Sequence, residues 1–181
     1  MASAAMESFW QNGYADTSLR DIGDQCGVGL QSIYNEFGDK SGLYVSALNR
    51  YCDAVLDSWR QYLESEPRAL AGLDALIDFW ADFFSTGGGR GCLLTMSLVD
   101  FGRQADQIGS AARLELARLE DLLRERVKLA QEEGDLGPGR DPDQLASAML
   151  TSVNGLCALS RASCDPHTIR EGALAVKHML R

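Results

Sequence analysis

The sequence is poor in proline, histidine and positive charge, and it has no long apolar run. There are four prolines in 181 residues, and Pro67, Pro138, Pro142 and Pro166 each fall where an apolar periodicity breaks. Long uninterrupted helices are therefore permitted between them. Histidine occurs twice, as His167 and His178, both far along the chain. No Ser/His/Asp grouping and no facing carboxylate pair is suggested, which argues against an enzyme. No apolar stretch approaches the ~18–20 residues that span a bilayer. Met1 to Met6 carry no basic n-region and no apolar h-region of a secretory signal, so the cytoplasm is the expected compartment and no membrane partner is expected. The five cysteines are odd in number and irregularly spaced, which does not read as a disulfide framework. Cys164 and His167 stand three apart but lack a second ligand pair nearby, so no metal or cofactor is expected. Lys and Arg number 17 against 26 Asp and Glu, a net charge of −9 at pH 7. That argues mildly against a protein that coats nucleic acid or an anionic membrane through bulk charge, and leaves open a local, geometric contact with DNA.

What is present is helical patterning almost throughout, and the expected class is all-α. Helices are expected over about 2–11, 18–26, 30–35, 40–64, 67–84, 92–101, 105–133, 143–161 and 168–180. Leu43, Ala47, Tyr51, Val55 and Trp59 recur every four residues in the fourth. Ile108, Ala112, Leu116, Leu119, Leu123, Val127 and Ala130 make the stripe of the seventh, with Glu120 four before Arg124 on its wet side. The eighth carries two adjacent apolar stripes, Leu145/Met149/Ser152/Leu156 and Ala146/Leu150/Val153/Cys157. A helix apolar on two sides must be buried on two sides, which points to self-association through the last two helices. The glycine-rich stretch Thr86–Gly91 lacks a Gly-Lys-Ser/Thr ending and follows no strand, so it reads as a connector and not a phosphate loop.

Residues 17–37 form a helix, a glycine turn at Gly27-Val28-Gly29 and a second short helix, the pattern of a DNA-reading helix-turn-helix. Ser18 is placed to cap the first of these helices and Asp39 the helix that follows the motif. Ile22, Val28 and Ile33 are placed to pack inward, leaving Leu30, Gln31, Ser32 and Asn35 outward. Gln31 can read adenine bidentately and Arg20 can read guanine. Lys40 adds a positive charge at the start of the next helix.

The wider string is Phe9-Trp-Gln-Asn-Gly-Tyr-Ala-Asp-Thr-Ser-Leu19, then Gly27-Val28, Ser32-Ile33-Tyr34, Phe37-Gly38-Asp39-Lys40 and Leu43-Tyr44. It closely resembles the N-terminal domain of TetR/AcrR-type transcriptional regulators over residues 4–51. Gly91-Cys92-Leu93-Leu94 looks like a loop of one branch of that family. The resemblance implies a helix-turn-helix domain over residues 1–45 and a ligand-binding and dimerisation domain over 46–181. It implies a homodimeric repressor on a palindromic double-stranded operator, released by a small apolar or aromatic effector. Carried over by position, Ser18 and Arg20 open the helix that crosses the DNA backbone. Leu30, Gln31, Ser32 and Asn35 face the major groove, and Tyr34 and Lys40 bind phosphates.

The effector pocket would draw on Trp59, Tyr62, Phe79, Trp80, Phe83, Phe84, Met96, Phe101 and Met149, with Asn154 as a polar group, although each of these also suits an ordinary core. Cys92, two after Arg90, is a candidate thiol sensor set against an apolar run that favours a packing role. Two features depart from the family pattern. The chain begins almost inside its first helix, without the usual basic stretch, and a translation start upstream would account for that. Glu36 also stands beside the expected DNA face. Residues 1–50 hold three basic and six acidic side chains, a net −3. This predicts poor nonspecific affinity and a shallow salt slope, and it keeps in play a helix-turn-helix-derived ligand-binding or interaction protein that has lost DNA binding.

Overall fold

A computed structural model describes residues 1–86 and 90–181. The expected connector therefore lies in part, at Gly87–Gly89, outside the described residues. Among the described residues there are nine α-helices and no strand: α1 (Ala2–Asp16), α2 (Leu19–Cys26), α3 (Leu30–Phe37), α4 (Lys40–Glu64), α5 (Ala69–Thr86), α6 (Leu93–Phe101), α7 (Gln107–Glu132), α8 (Pro142–Arg161) and α9 (Pro166–Leu180). None is long and apolar enough to cross a membrane. The chain divides into two compact units, Met1–Ala54 with Cys92–Leu116, and Val55–Gly91 with Ala117–Arg181.

In the first unit, Ala5, Phe9, Ile22, Ile33, Leu43, Ala47 and Leu48 are fully buried. Phe9 meets Tyr44 edge-on at 4.8 Å between ring centroids, and Tyr14 meets both Tyr44 and Phe101 at 5.3 Å. Such edge contacts bring the positive ring edge to the negative ring face. The first helix, expected to end near residue 11, is broken there and not ended. Gly13 leaves helical geometry at φ 79°, the chain winds on to Asp16, and Thr17 Oγ1 donates to the Gly13 carbonyl at 2.6 Å.

In the second unit, α5 supplies Leu73, Leu76, Ile77, Trp80 and Ala81 to the core. It starts at Ala69, two residues after the expected Pro67, where Glu133 accepts from the Ala69 N–H at 2.7 Å. Arg68 beside it pairs with Asp135. Three carboxylates one turn apart on α5 pair with the cations of α9, Asp74 with Arg181, Asp78 with Lys177 and Asp82 with Arg170, each at 2.6 Å. That order makes the two helices antiparallel. The Asp-Pro pairs at 141–142 and 165–166 each open a helix, with the aspartate accepting from Asp143 N or Thr168 N and proline in the first turn, where its missing N–H costs nothing. The Thr168 amide holds the Asp165 carboxyl below its ordinary value. The expected Glu120–Arg124 contact forms at 3.8 Å, and Arg124 also reaches Asp121 and Asp143.

Both apolar stripes of α8 are covered within one chain. Leu145, Ala146, Met149, Leu150, Val153, Leu156 and Cys157 are all buried, because α8 packs on both α5 and α9. The double stripe therefore does not by itself call for a second copy. The apolar side chains that α8 and α9 leave outward include Ala158, Leu159, Ala175 and Met179, and Gly155 has open space beside it.

Candidate nucleic-acid interface

The motif is assembled by local capping. Ser18 Oγ accepts from the amides of Arg20 at 3.2 Å and Asp21 at 3.4 Å, which starts α2. Gly27 ends α2 in the left-handed region at φ 67°, a conformation that costs glycine little. The Val28 amide then returns to the Gly23 carbonyl at 2.9 Å. A Cβ at Gly23 would stand 2.7 Å from the Val28 carbonyl oxygen, so the tightness of the turn depends on that glycine. Ile22 and Ile33 are fully buried, as expected. Val28 is only half-buried, because the turn commits its backbone to the return bond and leaves its side chain at the rim.

This places α3 with Gln31, Ser32, Tyr34 and Asn35 in solvent, Tyr34 at 46% exposure, and Leu30 half-buried at its start. The helix runs two residues past the expected Asn35, to Phe37, before Gly38. Gln31 Nε2 donates to Asn35 Oδ1 one turn on at 3.0 Å. Arg20 is exposed, Ser18 is half-buried as a cap, and Glu36 is exposed beside the same face.

Lys40 differs from a free phosphate ligand. Its Nζ donates to the Ala15 carbonyl at 3.1 Å and sits 4.7 Å above the Tyr14 ring, so it also ties the end of α1 to the start of α4. Asp39 caps α4 by accepting from Gly42 N at 2.7 Å. Tyr14 and Ser41 share a hydrogen bond at 2.9 Å. Sequence reasoning missed Tyr14, Thr17, Gly23 and Ser41 as supports of this face. A glycine inside a short helix was the available signal for Gly23; the others have no local signature.

The aromatic pool does not form one cluster. In the second unit, Trp59 lies 5.1 Å from Trp80, Tyr62 stacks on Phe79 at 4.4 Å, and a row continues through Phe83 to Phe84. Met149 is fully buried and Phe83 is 44% exposed. Asn154 Nδ2 donates to the Leu150 carbonyl of its own helix at 2.8 Å. Met96 and Phe101 belong to the first unit, where Phe101 completes the ring core around Tyr14 and Tyr44. A groove of about 180 Å³ in the second unit is lined by Arg60, Leu63, Glu64, Leu122, Glu125, Arg126 and Leu129. It includes none of the pool and is smaller than the ~300–1,000 Å³ of ordinary ligand sites. Cys92 is half-buried ahead of α6. No group of three or more His, Cys, Asp or Glu side chains able to hold a metal ion occurs among the described residues.

Residues 2–47 match the family model described as bacterial regulatory proteins, tetR family. Residues 69–176 match a tetracyclin repressor-like C-terminal domain. The HTH-type transcriptional repressor ComR of Escherichia coli K12 is 27% identical over 161 residues, spanning 87% of this chain and 76% of ComR. A cysteine mutant of the TetR family regulator CifR, solved with 26 bp double-strand operator DNA, superposes with a TM-score of 0.85 at 24% identity, covering 99% of this chain and 94% of that one. The reduced form of NemR from E. coli does so at 0.84 and 18% identity, covering 99% and 95%. With both halves matched, the chain belongs to the TetR family: it is a helix-turn-helix, DNA-binding transcriptional regulator and not an enzyme.

Proposed function

We propose that this regulator is a cytoplasmic repressor that binds a palindromic operator as a homodimer and leaves it when a small apolar or aromatic effector binds. Residues 1–45 read DNA; residues 46–181 hold the effector and the second copy. The observation that carries this reading is the α3 face. Gln31, Ser32, Tyr34 and Asn35 stand in solvent on a helix fixed by the Ser18 cap and the Gly27 turn. Gln31, Ser32, Asn35 and Leu30 read bases, Arg20 reaches a base from α2, and Tyr34, Ser18 and Lys40 contact the backbone. CifR, its structural neighbour, is seen on operator DNA, which supports the same role here. The second-unit aromatic row from Tyr62 to Phe84, with Trp59, Trp80, Met149 and Asn154, supports the effector role. Met96 and Phe101 complete the set of residues proposed for the effector. The outward small residues of α8 and α9 support the homodimer.

A mobility-shift assay with DNA from upstream of its own gene tests the first claim. A shift at low salt is expected, and its absence overturns DNA binding. One observation favours a second reading: the net −3 over residues 1–50, which suits an effector-binding protein without an operator. That reading predicts effector-induced thermal stabilisation with no DNA shift at any salt concentration.

A further inference from the structure

Trp80 is 1% exposed, and its indole N–H meets no acceptor among the described residues. A tryptophan taken into a core ordinarily finds a partner for that donor, and an orphan demands an explanation. Its own helix supplies none, since Leu76, Ile77, Phe83 and Phe84 stand one turn to either side. Trp59 presents a ring, with centroids 5.1 Å apart and planes tilted by 58°. Among the described residues, Ser160 is the one polar side chain classed as buried in the second unit. The other orphan donor, Arg126 Nε, lines the groove that Glu64 and Glu125 share, where an added anion would be repelled.

We infer that the effector is a neutral molecule bearing one hydrogen-bond acceptor, a carbonyl or ether oxygen, which accepts from Trp80 Nε1 while its apolar body lies against Trp59 and Trp80. This rests on the effector reading above and narrows it. A pure hydrocarbon would gain burial but leave the donor orphaned. A carboxylate would enter a core whose one buried polar side chain is a serine, and an unpaired charge there is heavily penalised. The site thus discriminates by hydrogen bonding and not only by shape.

The test uses the full chain labelled with ¹⁵N, its Trp80 indole resonance assigned with Trp80→Phe. The probes are two matched pairs, acetophenone with ethylbenzene and cyclohexanone with methylcyclohexane. In the free protein the Trp80 indole proton is expected upfield, in the range of a weakly bonded N–H, and to move downfield with the ketones alone. The ketones are expected to bind the wild type roughly five- to tenfold tighter than Trp80→Phe, and the hydrocarbons to bind both within about twofold. Should the resonance sit downfield before any probe is added, a resident partner serves the donor and the inference is overturned. Equal response to ketone and hydrocarbon overturns it as well, while leaving the effector reading intact. If neither pair binds at millimolar concentration, the apolar-effector reading itself falls and this inference with it.

Discussion

The Tyr44 hydroxyl lies 2.8 Å from Ser97 Oγ, 53 residues away, inside the first unit. Ser97 Oγ spends its proton on the Leu93 carbonyl at 2.8 Å, so Tyr44 is the donor in the pair. The two substitutions are then unequal. Tyr44→Phe loses one bond and leaves Ser97 satisfied, at a cost of about 0.5–1.5 kcal/mol. Ser97→Ala strands a buried phenol and costs about 1–3 kcal/mol. Burial raises the Tyr44 pKa above its ordinary value of 10.0. As pH climbs past 10.0, the unfolded tyrosine ionises first while the folded one keeps its proton. The stability linked to Tyr44 is therefore full below that value and lost as pH rises through the folded pKa. Urea denaturation across this range should show a flatter alkaline loss for Tyr44→Phe than for the wild type.

Gly23 is expected to tolerate no side chain. An alanine Cβ would meet the Val28 carbonyl at 2.7 Å, and neither backbone segment can yield without opening the turn. Helix propensity alone predicts that Gly→Ala stabilises by up to ~1 kcal/mol. The clash reverses the sign, with destabilisation on the order of 1–3 kcal/mol. Thermal melts check this, and operator affinity should fall as α3 loses its placement. A stabilised Gly23→Ala would show that the turn adapts.

The parts of this architecture legible from sequence are those made by near neighbours. Ser18 and Asp39 announce helix starts because a cap acts over three residues. The α3 face was legible because Ile33 alternates with polar residues at helical spacing. The ladder from Asp74 to Asp82 shows its period of four on α5, but its partners lie about a hundred residues on, beyond any local pattern. The Tyr44–Ser97 bond is equally distant. The aromatic pool spreads over both units because composition cannot say which unit a ring joins: Phe101 meets the Tyr14 and Tyr44 rings of the first unit, whereas Trp59 and Trp80 meet in the second. Nor could the sequence say what covers the two stripes of α8, which α5 and α9 both reach within one chain.

Gln31 and Asn35 are hydrogen-bonded at 3.0 Å on the exposed side of α3, so their effects on DNA binding should be coupled. Gln31→Ala is expected to relax sequence preference at one or two operator positions, costing about 1–3 kcal/mol there. Tyr34→Ala should weaken binding to all sequences alike, because phosphate contacts carry no sequence information. In a double-mutant cycle, Gln31→Ala and Asn35→Ala should deviate from additivity by at least ~0.5 kcal/mol, while Gln31→Ala with Tyr34→Ala should not. Binding titrations on operator and single-base variants measure all three. Unchanged preference in Gln31→Ala would remove that side chain from the groove.

Gly155 is the position at which the proposed dimer can be tested. A Cβ there meets nothing within 4 Å, and the residue lies in mid-helix on the exposed side of α8. In an isolated chain, Gly155→Ala should be neutral or stabilising by up to ~1 kcal/mol, the ordinary propensity gain. If α8 and α9 bring two copies together, Gly155 is where the helices approach closely, and a larger, charged side chain cannot be accommodated. Gly155→Glu is therefore expected to leave the far-ultraviolet circular dichroism spectrum intact while shifting the sedimenting species from a dimer toward 19.7 kDa. Operator affinity should fall with it, because two half-sites are then no longer bound together. A Gly155→Glu protein that still sediments as a dimer would move the self-association surface away from this face of α8.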